Sequence, residues 1–320
     1  MTCSLNIFKI DMVYKIVYSI FYIFSLLPYK VLYGISDFFY LIVYYIVGYR
    51  KKVVIKNLTS TFPQKDKKEI KHIEKGFYHW ICDYFVETLK LISVSDKTLL
   101  KHIEFRNVEE IESYFDKGQT CAAILGHYCN WELLSATGLA LDRHKDAIRG
   151  LIYHPLRNAI FDKLFKELRQ SKGGVCIPKK DILRYIITYK REKRMWLFGY
   201  ISDQAPKWRN IHLWLPFLNH DTPVFTGGEK IMRKMNDAVF YADMERPRRG
   251  KYVCTFRLIT DEPAKLPENE ITKRFFKLLE HTIERDPRFY LWTHNRWKRT
   301  HEEFDKKYII ENGHVINKDK

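Results

Sequence analysis

Residues Cys121–Leu134 read CAAILGHYCNWELL. The apolar run Thr120–Leu125 is short, continuous and closed by glycine, the pattern of a strand covered on both faces, as in a parallel sheet. Gly126 permits a tight backbone path, and His127 and Tyr128 fall in the loop beyond it. Asn130 is a plausible N-cap for a helix over Asn130–Leu141, with Glu132 in the first turn, where the helix dipole favours a carboxylate. His127 and Glu132 are five residues apart, so within one helix they would point about 140° apart. Across a strand-to-helix turn they can meet. A carboxylate bonded to one imidazole nitrogen fixes the tautomer and leaves the other nitrogen as a base. The spacing alone is a weak pattern; two ordinary polar residues fit it as well.

Working outward, the alternation of strand and helix continues. Helical spacing predicts Asp66–Leu91, with Ile70, Ile73, Phe77, Ile81, Phe85 and Leu89 on one face, and Val53–Phe62 ends a preceding helix at Pro63. Downstream come a short strand at Leu151–Tyr153, a helix over Asn158–Gln170 stopped by Gly173-Gly174, and further elements at Val175–Ile177, Ile182–Tyr189, Met195–Ser202, Thr226–Met235, Ala238–Glu245, Tyr252–Thr260 and Ile271–Glu284. This order predicts an α/β fold, a mixed and mostly parallel sheet flanked by helices.

The head of the chain differs in kind. Met12–Leu27 (MVYKIVYSIFYIFSLL) and Val31–Tyr49 (VLYGISDFFYLIVYYIVGY) are apolar and aromatic, separated by Pro28-Tyr29-Lys30. Lys15 interrupts one half and Asp37 the other, so neither is an unbroken run of the roughly 20 apolar residues a span needs. One tilted span, a hairpin, an embedded amphipathic pair or a buried core hairpin all fit. Nothing resembles a small-residue cleavage site, and the segment is expected to be retained. Arg50, Lys51 and Lys52 follow at once, which places the remainder on the cytoplasmic side. The expected organisation is a membrane anchor over 1–49, a catalytic domain over 50–300 and a charged tail over 301–320, frayed at its end.

Fifty-five Lys and Arg against thirty-eight Asp and Glu leave a net charge of +17, which selects anionic partners: nucleic acid, an acidic membrane or a phosphorylated substrate. No nucleic-acid fold motif accompanies the charge, so no nucleic-acid partner is expected. The six cysteines are scattered without metal or redox spacing, as expected of reduced thiols, and Cys129 reads more readily as a small buried thiol than as a nucleophile. No convincing metal cluster is present.

Further blocks follow in order: Tyr49-Arg50-Lys51 through Asn57-Leu58 and Phe62-Pro63; Tyr153-His154-Pro155-Leu156-Arg157-Asn158; Arg169 and Gly173-Gly174; Ser202-Asp203-Gln204; Pro216-Phe217-Leu218 through Pro223; Thr226-Gly227; and Trp292–Lys298, WTHNRWK. With GHYCNWE, this ordered set resembles the late acyltransferases of lipid A synthesis, within the glycerolipid acyltransferases that carry H-x4-D or H-x4-E. The resemblance covers most of the chain. It departs at Cys129, where relatives often have Gly, and at His154, where they often have Arg.

The resemblance implies acyl transfer in the membrane plane, at the cytoplasmic face of an inner membrane. Acyl carrier protein would present the donor thioester, and a hydroxyl of a phosphorylated glycolipid, a lipid A precursor, would accept the chain. His127 would be the general base and Glu132 its orienting partner, with no metal, no cofactor and no acyl-enzyme. Asn130 and backbone amides of the turn are candidate oxyanion donors. Arg157, Arg169 and Arg296 are candidate grips for phosphate, and Asp203 and Gln204 follow an apolar strand, at the sheet end where α/β folds bind ligands. Thr226 and Gly227 serve equally as a substrate contact or a plain cap and turn. Trp208, Trp292 and Trp297 suit either a lipid interface or the core. An acyltransferase for another glycolipid or a lysophospholipid remains the neighbouring alternative. A non-enzymatic membrane-surface protein explains the charge and the head but not the ordered blocks.

Overall fold

The alternating pattern folds around one seven-stranded sheet; the computed structural model describes residues 2–318, with side chains from Asp11 onward. The strands are β1 (Ile103–Arg106), β2 (Cys121–Leu125), β3 (Ile148–Tyr153), β4 (Val175–Pro178), β5 (Trp196–Ile201), β8 (Ala238–Arg248) and β9 (Lys251–Thr260), with β6 (Trp214–Phe217) and β7 (His220–Pro223) forming a separate hairpin. The order across the sheet is β1-β9-β8-β2-β5-β3-β4. Neighbours from β8 to β4 run parallel, β9 returns antiparallel to β8, and β1 is parallel to β9. The expected mixed, mostly parallel sheet is present. All five residues of β2 are buried, as a strand paired on both sides and covered on both faces requires.

The helices are α1 (Thr2–Leu26), α2 (Tyr29–Leu41, continued by a π-helical turn Ile42–Val47), α3 (Lys51–Thr61), α4 (Lys67–Lys90), the short α5 (Asp96–Leu99), α6 (Val108–Asp116), α7 (Ala159–Gln170), α8 (Ile182–Arg191), α9 (Gly227–Met235) and α10 (Glu270–Arg285). Helix α4 begins at a capping box: the Asp66 side chain accepts from the Lys68 and Glu69 amides, and Glu69 accepts from the Asp66 amide. Such a start contributes about 1 kcal/mol. Its apolar face buries Ile70, Ile73, Phe77 and Trp80 in the main core.

One local expectation is corrected. The segment after Asn130 is a 3-10 helix, Trp131–Ala140, instead of an α-helix. Ser135 Oγ and Thr137 Oγ1 each bond the carbonyl three residues back, at 2.7 and 2.8 Å, local bonds that compete with an α-helical ladder. In the charged tail, α11 (His301–Lys307) leads into the hairpin of β10 (Tyr308–Glu311) and β11 (His314–Asn317), and the end expected to fray lies outside the described residues. Phe304 and Tyr308 stack on Trp208, and His301 stacks on Trp214, so aromatic burial holds the charged tail in place.

Candidate active site

Strand register assembles the site. Leu125 at the end of β2 is paired with Ile201 at the end of β5, and the Ser202 amide donates to the Leu125 carbonyl at 3.1 Å. Two residues beyond each strand end stand His127 and Asp203. Parallel neighbours lie about 4.8 Å apart, and the two side chains meet: His127 Nδ1 is 2.6 Å from Asp203 Oδ1, while the His127 amide donates to Oδ2 at 3.0 Å. Gly126 is required by close approach, since a Cβ there would lie 2.7 Å from Leu279 Cδ1 of α10.

Asp203 is almost wholly buried. Burial pushes its carboxyl up, but the charge and two hydrogen bonds of His127, with Arg296 beyond, outweigh it and hold Asp203 below the usual carboxylate range. It is therefore ionised at neutral pH and fixes the proton of His127 on Nδ1. His127 Nε2 faces a part-open surface, with Gln204 Nε2 3.2 Å away. The Trp131 ring meets the imidazole edge-on at 4.9 Å between centroids and is itself packed against Tyr84. Trp131 and Gln204 thus limit how the ring can tilt.

Glu132 does not bond His127. Its carboxylate accepts a bidentate pair from Arg169, Nε at 2.7 Å and Nη2 at 2.6 Å, with the Tyr84 hydroxyl at 3.4 Å. The five-residue offset that separates the two side chains on a helix also separates them across this turn. His127 turns toward β5 and Glu132 toward α7. Burial opposes the Arg169 charge, but the Glu132 carboxylate outweighs it and raises the guanidinium above its usual range. Arg169 Nη1 has no hydrogen-bond partner among the described residues.

Asn130 is buried and does not cap the helix; its Nδ2 donates to Glu87 at 3.1 Å, and its Oδ1 has no partner among the described residues. Glu87 also accepts from Tyr252 at 2.7 Å and Tyr33 at 2.9 Å, and burial raises its carboxyl. Asn130 is thus committed to holding the turn and is not an oxyanion donor here. Arg296 is not exposed for phosphate either. It lies behind Asp203, 1% exposed, with Nη2 on the Pro223 carbonyl at 2.7 Å, and burial lowers it to about 10. Arg157 is exposed on the loop after β3. Thr226 is buried at the start of α9 without a side-chain cap bond, and a Cβ on Gly227 would meet nothing within 4 Å; neither bonds His127 or Asp203. Trp292 belongs to the core, with Nε1 on the Pro287 carbonyl.

Sequence reasoning named Asp203 and Gln204 but not their pairing with His127, and it missed His294 and Tyr290. His294 Nε2 accepts from the Ala205 amide at 3.2 Å, and burial lowers it to about 4, so it is a neutral acceptor supporting the loop. Burial and the adjacent Asp203 raise the Tyr290 phenol well above its usual range. The sequence signal marks the members, two apolar strands each followed within two residues by a titratable group, while their pairing depends on β2 and β5 being neighbours in the sheet. Cys129 is buried at φ +50°, and burial raises its thiol well above the usual range, which rules out a ready thiolate nucleophile. The left-handed backbone at Cys129 is the conformation that glycine adopts without strain.

A sequence model of the bacterial lipid A biosynthesis acyltransferase family matches residues 7–299. The chain belongs to that family. No curated protein matches the sequence. The protein is accordingly an acyltransferase acting in lipid A biosynthesis, and the family region ends just before α11, so α11 and the β10–β11 hairpin lie outside it.

Proposed function

We propose that this acyltransferase moves a fatty acyl chain from an acyl carrier protein thioester to a hydroxyl of a lipid A precursor, at the cytoplasmic face of the inner membrane, with His127 as general base and Asp203 as its orienting partner. The observation that carries this reading is the 2.6 Å bond between His127 Nδ1 and a buried, ionised Asp203. Nε2 is left to take the acceptor's hydroxyl proton as the oxygen attacks the thioester carbonyl. The tetrahedral oxyanion then collapses, the C–S bond breaks, and the departing thiolate receives the proton from the imidazolium. Gln204 Nε2, already at the reacting nitrogen, is the side-chain donor best placed to meet the oxyanion. No acyl-enzyme is formed, and no cofactor or metal takes part. Glu132 acts through Arg169 and the turn, and so positions Trp131 against the base.

Anionic partners suit the exposed basic side chains. Arg50, Lys52, Lys56, Arg157 and Lys298 have no acidic partner among the described residues, and Arg169 keeps Nη1 free. Phosphate on the acceptor and the acidic surface of a carrier protein would both complement them.

The test is acyl transfer with purified protein, a carrier-protein thioester and a tetraacylated, phosphorylated disaccharide, comparing the wild type with His127→Ala and Asp203→Asn. Both variants are expected to lose turnover. A His127→Ala protein with near wild-type activity refutes the mechanism. Wild-type transfer to a lysophospholipid but not to the disaccharide reassigns the acceptor.

A further inference from the structure

Helix α2 packs along α4, α1 packs on α4 and α7, and each presents two unlike stripes. The inward stripe of α1 carries Tyr14 and Ser25, and that of α2 carries Leu32, Ser36 and Tyr44. The outward stripes are apolar and open: Met12, Val13, Ile16, Ile20 and Ile23 on one helix, Val31, Phe38, Leu41, Tyr45 and Ile46 on the other, with Ile23 67% and Ile46 79% exposed. Over Tyr29–Val47, long and apolar enough to cross a bilayer, only 17% of the most apolar window is buried.

The inward stripes are fastened by polar bonds. Ser36 donates to Asp83 at 2.7 Å, Asp37 takes Arg249 at 2.6 Å and His79 at 2.8 Å, and Tyr33 reaches Glu87. Lys90 and Ser93 donate to the Ser25 carbonyl, and Tyr14 donates to Glu167 of α7. Arg249 and Arg246 both bind Asp83, which is fully buried. Asp37, His79 and Asp83 are close enough to hold a cation, but the two guanidiniums already supply the counter-charge. Lifting α2 away to cross a bilayer would break the Asp37–Arg249 ion pair and the bonds of Ser36 to Asp83 and Tyr33 to Glu87, and would carry the Asp37 carboxylate into the hydrocarbon.

We infer that α1 and α2 form a monotopic, in-plane docking surface for an anionic lipid leaflet and do not cross it. The exposed apolar faces exceed what soluble surfaces normally carry. Exposed Tyr22, Tyr45 and Tyr49 suit the headgroup boundary, and Lys30, Arg50 and Lys52, without acidic partners among the described residues, complement anionic headgroups. This deepens the proposed function by fixing how the site meets a lipid acceptor, and it stands on the helices' own contacts.

The test uses the full chain carrying Cys3→Ser, with single cysteines introduced as Lys30→Cys or Lys318→Cys. In sealed membrane vesicles where Lys318→Cys is fully labelled by an impermeant maleimide, Lys30→Cys is expected to label equally without permeabilisation. Labelling only after detergent would place the α1–α2 turn across the bilayer and overturn the inference. A second variant, Ile20→Glu/Ile23→Glu/Phe38→Glu/Ile46→Glu, should keep its melting midpoint and bind phosphatidylglycerol vesicles at least about tenfold more weakly. Unchanged vesicle binding overturns the inference, and loss of a dimer instead would assign the face to a second copy. Acyl transfer in detergent micelles reads the proposed function separately: its failure with same-side labelling retires only that reading.

Discussion

Asp203→Asn separates the two carboxylates by role. In the wild type, the fixed His127 amide donates to one Asp203 oxygen at 3.0 Å, and Nδ1 bonds the other at 2.6 Å. An asparagine has one acceptor and one donor at those places. The backbone N–H can only donate, so the amide oxygen must face it, and the NH2 group then faces Nδ1. That arrangement favours the imidazole tautomer with its proton on Nε2, where it cannot accept a proton from the acceptor. A wrong tautomer in a histidine–aspartate pair lowers kcat by roughly 10³–10⁴, about 4–5.5 kcal/mol of barrier. The fold should be spared, because shape and one hydrogen bond persist. Glu132→Gln has the opposite profile: it removes the counter-charge of a largely buried guanidinium and should cost about 2–4 kcal/mol of stability. Adding Arg169→Met should restore most of that. Single-turnover acyl transfer, with thermal unfolding of the same samples, measures both. A Glu132→Gln enzyme a thousandfold slower at unchanged melting midpoint, beside an Asp203→Asn enzyme keeping over a tenth of its rate, would refute the assignment.

Other outcomes follow from buried groups away from the reacting atoms. Asp237 is buried at the far end of the sheet, raised to about 6 by burial, with Oδ1 on Thr120 and Trp196 and Oδ2 without a partner among the described residues. The folded state binds its proton more tightly than the unfolded state, so its ionisation destabilises the fold as pH rises through the window from about 4 to 6. Asp237→Asn should therefore stabilise by about 2 kcal/mol at pH 8 and hardly at pH 4 in denaturant titrations. His294 has the reverse sign: depressed to about 4, it stays neutral in the fold while the unfolded chain takes up a proton. Stability should fall by roughly 2–3 kcal/mol between pH 6.5 and 4 on its account, and His294→Gln should flatten that slope. Gly126→Ala must displace Leu279 and should lower stability by about 1–3 kcal/mol along with kcat. At Cys129, Gly should be tolerated, whereas β-branched Val in the left-handed region should lower the melting midpoint measurably.

Much of the fold was legible because burial writes itself into local pattern. The all-buried β2 and most of the spaced apolar face of α4 follow from elementary periodicity, with Phe85, 44% exposed, the member of that face that periodicity misplaces. The site was legible in its members but not in its pairing. His127 and Glu132 are neighbours in sequence, and a near neighbour is the natural partner to assign. The actual partner is 76 residues away, and only sheet order, which no local pattern encodes, brings it back. Arg296 and Asn130 were misjudged for a related reason: polarity suggests contact with substrate, while tertiary burial turned one behind Asp203 and the other onto Glu87. The charge of the tail is legible in the sequence, whereas the aromatic contacts of Phe304 and Tyr308 with a distant tryptophan are not.

The pairing of Leu125 with Ile201 makes the dyad a property of strand alignment, not of chain length. Apart from Trp131, Glu132 and Arg169, which brace the base, the chain between His127 and Asp203, including β3, α7, β4 and α8, is an excursion that has to return β5 to the same step beside β2. Loops in that excursion can grow, shrink or acquire new acceptor contacts while base and carboxylate stay in place. A single residue inserted within β2 or β5 has no such freedom: it would turn the following side chain to the other face of the sheet and part the two groups at once.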